Sequence, residues 1–280
     1  MITNKFNINP AGYVATDIKS GDRLLISGGT SHEKFLVPDY ENIENIYIEA
    51  DNSFAKFQTN EKIPHGINRN LFNRVRAIFS VIAKNFNTFT KNSSDRNMLY
   101  NENGELGLSA MIKSGVCACS ELAALAQGYL QKHNIKSAFF NGSIINDNDI
   151  DNPDKIKEPE AHSFIVISDN GDFFIFDPTK IILDNENKKI IVPIFSTPKN
   201  AADYFFNNNA SKRMFLKAYN LQKPDITFAY SNMAHGTQIE ETYAYDCDKL
   251  CAKQGVFKTS KQSIKRKESL NVIKIQSEHN

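Results

Sequence analysis

Four cysteines in 280 residues are too few for a disulfide scaffold. They fall as Cys117/Cys119 and Cys247/Cys251. Neither spacing matches the Cys-x2-Cys habit of a zinc site and no flanking histidine completes either pair, so no metal is expected. Excess charge of one sign is lacking too. With 33 basic and 32 acidic residues the net charge is +1, which gives no overall field for nucleic acid or anionic membranes. The longest apolar runs fall far short of the roughly 20 residues that cross a bilayer. No signal-peptide core follows Met1-Ile2-Thr3-Asn4-Lys5, and no repeat of fixed period occurs. Gly28-Gly29-Thr30-Ser31 resembles a phosphate cradle, but no Gly-Lys-Ser/Thr ending follows, so it reads as a turn. What remains is a soluble globular chain, 41% apolar, with no cofactor, no nucleic acid and no membrane span expected.

Against these absences stand three residues: Cys119, His162 and Asp177. Cys119 opens the helix-like run Cys119-Ser120-Glu121-Leu122-Ala123-Ala124-Leu125-Ala126. A helix N-terminus stabilises a thiolate against its reference pKa of about 8.5 and can hold a developing oxyanion. His162 through Ile167 is rich in β-branched and aromatic residues, Asp169-Asn170-Gly171-Asp172 signals a turn, and Phe173 to Phe176 returns. If Asn170-Gly171 form the turn, Asp177 falls opposite Phe164 and diagonal to His162. If Asp169-Asn170 form it, Asp177 falls directly opposite His162. Either register puts the pair on one face within roughly 5–8 Å between Cβ atoms, where a carboxylate can orient an imidazole. The bland alternative is a small buried cysteine in an Ala/Leu-rich helix and a chance histidine.

The residues resemble the transglutaminase-like branch of the papain-like cysteine superfamily. In that branch a Cys begins a helix with Ala four residues on, and successive strands carry His and then Asp, often followed by Pro. Cys119 with Ala123, the strand Ser137 to Phe140, His162, and Asp177-Pro178-Thr179 match in order. The Glu121-Leu122-Ala123 flank is similar to that of peptide N-glycanase members. The separations 119 to 162 and 162 to 177 are similar to those in the glutamine deamidase domain of Pasteurella toxin and related Gram-negative effectors. The resemblance covers roughly residues 105 to 180. There are departures: Cys117 stands where the family commonly has Gly, no Trp follows the His, and no Gln lies shortly upstream as an oxyanion donor. Cys117 is therefore a rival nucleophile.

The resemblance implies an α+β fold, with a nucleophile at a helix N-terminus packed on an antiparallel sheet. It also implies acyl transfer through a thioester on Cys119, with His162 as base and Asp177 as its orienter. Water acting on a Gln carboxamide gives deamidation and a Lys amine gives transglutamination, so a protein substrate is implied. A cysteine protease and a non-enzymatic binding module on the same fold remain alternatives. The Asn/Lys/Ile-rich composition suggests an AT-rich bacterial gene. The expected location is the bacterial cytoplasm, or a host cell after export without a Sec signal.

Three regions are expected. Residues 1–66 read as a β-rich accessory region with strands at 12–15, 23–27, 34–37 and 46–49. Residues 67–257 form the catalytic core, and residues 258–280 a basic, disordered tail. Within the core a helix is expected over Asn70 to Asn85, with Leu71, Val75, Ile78, Phe79 and Ile82 at helical spacing. Segments 181–183 and 189–192 should extend the sheet as a hairpin, Ala201 to Tyr219 should be helical, and Phe228 to Tyr230 a short strand. Asn146 to Glu160 reads as a solvated connection.

Overall fold

Strands β6 (Ser137–Asn146) and β7 (Glu160–Asp169) pair antiparallel, Ser137 opposite Ile167 and Ile144 opposite Glu160. Their β-branched and aromatic residues bury on both faces, which suits a sheet covered on both sides. β8 (Asp172–Phe176) follows through a two-residue turn. Asn170 and Gly171 have φ of 49° and 88°, with Asp169 opposite Asp172, the left-handed pair that a tight hairpin turn requires. β11 (Ile194–Ser196) pairs with β8, β12 (Leu216–Asn220) with β11 and β13 (Thr227–Ser231) with β12. β13 then pairs with β6, Ser231 opposite Ser143. These strands close an all-antiparallel ring, a small barrel.

The computed structural model describes residues 6–9, 12–25, 34–57, 62–86, 98–115, 117–146, 160–186, 188–197, 201, 205 and 215–232. Strand parity sorts the side chains into two cores. Phe140, Phe164, Val166, Ile175, Phe195, Leu216 and Tyr230 form one buried cluster, on the face that points into the ring. Phe139, Ile165, Ile167, Phe174 and Phe176 point outward and join a cluster with the helices. In that outer layer lie α1 (Glu44–Phe57), α2 (Arg69–Asn85), α3 (Leu108–Ser114) and α4 (Cys119–Lys132). α4 is buried from Ser120 to Leu130. α2 begins at Asn68, whose side chain accepts the N–H groups of Asn70 and Leu71. The molecule is α+β.

The N-terminal region departs from the expected accessory sheet. Residues 46–49 belong to α1 because Ile43, Ile46, Tyr47 and Ala50 bury one side at helical spacing, overriding the strand preference of the isoleucines. β1 (Phe6–Asn9) and β2 (Gly12–Ala15) extend the large sheet, Tyr13 opposite Asn141 of β6. β3 (Leu24–Leu25) and β4 (Phe35–Val37) form a small sheet with β5 (Glu105–Gly107). Among the described residues before 66, β2 thus pairs with β6 and β4 with β5.

Two further expectations change. The hairpin of β9 (Ile182–Asp184) and β10 (Lys189–Ile191) forms a separate two-stranded sheet, since β11 takes the edge of β8 that it would have extended. Residues 216–219 lie in β12, not in a helix. Leu216, Ala218 and Asn220 are buried while Lys217 and Tyr219 are half-buried, a period of two rather than 3.6. Residues 201 and 205 are helical. The Gly28-Gly29 turn, the connection 147–159, Cys247, Cys251 and the basic tail lie outside the described residues.

Candidate active site

Cys119 is delivered by a short turn. α3 ends at Gly115 in the left-handed region at φ 72°, where a side chain is strained. Ala118 is extended, and its N–H donates to the Glu121 carboxylate at 2.7 Å, which fastens the first turn of α4 from within. Cys119 is the first helical residue and half-exposed; Cys117 is 4% exposed and packed in the outer core. Neither is in a disulfide. Both expected nucleophiles are therefore near the site, and Cys119 is the one that meets the histidine.

His162 and Asp177 sit at one rim of the barrel, on the ring-facing side. The register is the first of the two expected: Ile165 opposite Phe176 puts Asp177 beside Phe164, diagonal to His162. Asp177 continues the β8 ladder by donating its N–H to the Pro193 carbonyl at 3.0 Å. His162 Nε2 donates to Asp177 Oδ2 at 2.8 Å. That leaves Nδ1 for the thiol, and His162 and Cys119 lie close enough for each to shift the other's ionisation. The Ser163 backbone N–H also favours the Cys119 thiolate.

The Asp177 carboxylate is fully enclosed. Besides His162, Oδ2 accepts the Tyr230 hydroxyl at 3.0 Å. Oδ1 accepts the Thr179 hydroxyl at 2.5 Å and the Thr179 N–H at 3.2 Å. Burial raises the pKa of such a group, but the His162 charge and hydrogen bond, then Lys180 and Thr179, outweigh it and hold Asp177 at about 2. For His162, burial lowers the value; the Asp177 charge and hydrogen bond, with the Cys119 contributions, push it up to about 9. Burial raises the Cys119 thiol and Glu121 opposes its ionisation. The hydrogen bond and charge of His162, with the Ser163 N–H, still draw it below its ordinary value. Each group thus favours its charged form: thiolate, imidazolium, carboxylate.

Sequence reasoning missed the supporting residues. Ser120 and Ser163, each next to a reacting residue, share a buried hydrogen bond of 2.9 Å, and the Ser163 hydroxyl reaches Asn141 Oδ1 at 3.3 Å. This fixes α4 to β7 one residue past Cys119 and His162. Thr179 could have been found, because Asp-Pro-Thr is a composition that folds a side chain back on a local N–H. Tyr230 carries no local signal. Upstream of Cys119 the Ser109 hydroxyl donates to Asp39 and that of Ser114 to the Met111 carbonyl at 2.7 Å. The Cys119 N–H, at the helix N-terminus, is the backbone donor nearest the sulfur's own residue.

Among the described residues, no group of three or more His, Cys, Asp or Glu is placed to hold a metal ion, and no single helix is long and apolar enough to cross a membrane. No family model matches the chain, and no curated protein matches it.

Proposed function

We propose that the protein is a cysteine-dependent acyl-transfer enzyme acting on glutamine side chains of a protein, as a deamidase or a transglutaminase. The observation that carries this reading is the 2.8 Å hydrogen bond from His162 to the buried Asp177, with the same imidazole close enough to Cys119 to draw its thiol below the ordinary value. A nucleophile at a helix N-terminus laid against an antiparallel barrel, with base and carboxylate on consecutive strands, is what the transglutaminase-like resemblance implies. It supports a glutamine substrate over other acyl groups.

The steps balance within these residues. The Cys119 thiolate adds to the carboxamide carbon, and the oxygen's charge develops toward the α4 N-terminus. The C–N bond breaks as His162 gives its Nδ1 proton to the leaving nitrogen, releasing ammonia and a thioester. Neutral His162 then takes a proton from water, or from a lysine amine, as that acceptor attacks. The thiolate leaves and the imidazolium is restored, with Asp177 holding the ring throughout.

Intact-mass measurement separates the outcomes on a glutamine-rich denatured protein incubated with a primary amine: about +1 Da per site for deamidation, about −17 Da plus the amine for transfer. Cys119→Ala should abolish both. Shortened chains would replace this reading with a protease. Independently of substrate, iodoacetamide at pH 6 should alkylate Cys119 ahead of Cys117, Cys247 and Cys251. Slow, equal labelling of all four would remove Cys119 as the nucleophile.

A further inference from the structure

We infer that Tyr230 is a positioning residue of this site, tuning the hold of Asp177 on His162 from the strand that closes the barrel. The inference rests on the Cys119–His162–Asp177 reading. Its starting point is that the Tyr230 hydroxyl and His162 Nε2–H donate to the same carboxylate oxygen, Oδ2, at 3.0 and 2.8 Å. Two donors on one oxygen share its charge. The phenol is neutral and its donation disperses the negative charge on Asp177, so the imidazolium feels a weaker attraction than an undivided carboxylate would exert. Tyr230 therefore lowers the pH at which His162 gives up its proton and keeps that ring able to act as an acid and then a base.

The phenol is well placed for a fixed role. Tyr230 is 0% exposed and packed at 4.9 Å between ring centroids from Phe164, 6.0 Å from Phe195 and 6.5 Å from His162. Burial, then the Asp177 charge and hydrogen bond, raise its pKa well above the ordinary tyrosine value, so it stays a donor across the working range. It also belongs to β13, opposite Ile144 of β6. One strand thus both completes the ring and supplies the second donor. Among the described residues, the other groups acting on these three are the Lys180 charge and the Thr179 hydrogen bonds, from the loop after β8, on Asp177, and the Glu121 charge, from α4, on Cys119.

The test needs no substrate. Iodoacetate, itself an anion, alkylates a thiolate beside an imidazolium. Its rate on Cys119, followed by peptide mass, should rise with pH as the thiol ionises and fall as His162 deprotonates near the value of about 9. In Tyr230→Phe the falling limb should move up by about half a pH unit or more. Incorporating 3-fluorotyrosine into the unsubstituted chain makes the phenol a stronger donor. It should move the same limb down, and that movement should vanish in Tyr230→Phe. A limb that stays put under both changes overturns the role of Tyr230 while leaving the triad standing. A Cys119 with no bell-shaped profile in the unaltered protein overturns the triad itself. Should Tyr230→Phe fail to fold, the fluorotyrosine shift decides alone.

Discussion

Asp177 keeps a negative charge away from water because four donors surround it: His162 Nε2–H, the Tyr230 hydroxyl, and the hydroxyl and N–H of Thr179. A buried carboxylate without such donors would take up a proton instead. The donors make it a permanent partner for Nε2–H, and that fixes which nitrogen faces the thiol. Asp177→Asn reverses this. Its amide would donate to Nε2, the proton would sit on Nδ1, and the ring could no longer take a proton from Cys119. The expected loss in kcat is about 10³–10⁴-fold with secondary structure unchanged by circular dichroism. On the proposed acyl-transfer reading, the pH dependence of activity should be bell-shaped. Below the lowered pKa of Cys119 the nucleophile is protonated, and above about 9 His162 has lost the proton it must give the leaving amine. A kcat/KM profile with a single rising limb would exclude His162 as the acid.

At the scale of elements, the triad's two β members were legible because a hairpin has only a few registers. The Asn170-Gly171 turn, read from composition, fixed Asp169 opposite Asp172 and so put His162 and Asp177 on one face. Tyr230 lies 53 positions beyond Asp177, and no local pattern carries a contact made by barrel closure. The misread elements fail for related reasons. Residues 46–49 are helical because a tertiary face, Ile46, Tyr47 and Ala50, needs burying. Residues 216–219 form a strand because β11 and β13 stand on either side to pair with it. Gly142 shows what closure demands. It lies opposite His162, and a Cβ there would stand 2.0 Å from the Ser231 carbonyl oxygen, where β13 meets β6. Gly142→Ala should cost about 1–3 kcal/mol in denaturant unfolding and, by displacing β13 and with it Tyr230, move the falling limb of the Cys119 alkylation profile to higher pH. Gly171→Ala, in open space at φ 88°, should cost about 1 kcal/mol and leave the alkylation profile unchanged.

Across the whole molecule the same groups shape stability against pH. The ordinary value of Asp177 is 3.8 and its folded value about 2. Its contribution is complete above the first and lost as pH falls toward the second. His162, raised from 6.5 to about 9, contributes fully below 6.5 and loses that contribution as pH rises to about 9. Cys119, lowered from 9.0, contributes fully above 9.0 and loses that contribution as pH falls through its folded value. The two slopes oppose each other because folding there moves a proton from thiol to imidazole without releasing one. The melting temperature should therefore stay flatter toward pH 9 than His162 alone would make it, and fall below about pH 4. Cys119→Ser should unmask a decline with rising pH; calorimetry showing the same flat profile in that variant would contradict the paired assignment.

The ring of strands has one more consequence, which concerns association rather than chemistry. β6, β7, β8, β11, β12 and β13 each have a neighbour on both sides, which leaves no whole strand of the ring as a free edge for another chain. The large sheet stops only where β1 leaves the ring through β2. A stranger's strand seeking to add to this sheet would meet β1, the strand separated from His162 by β2 and β6.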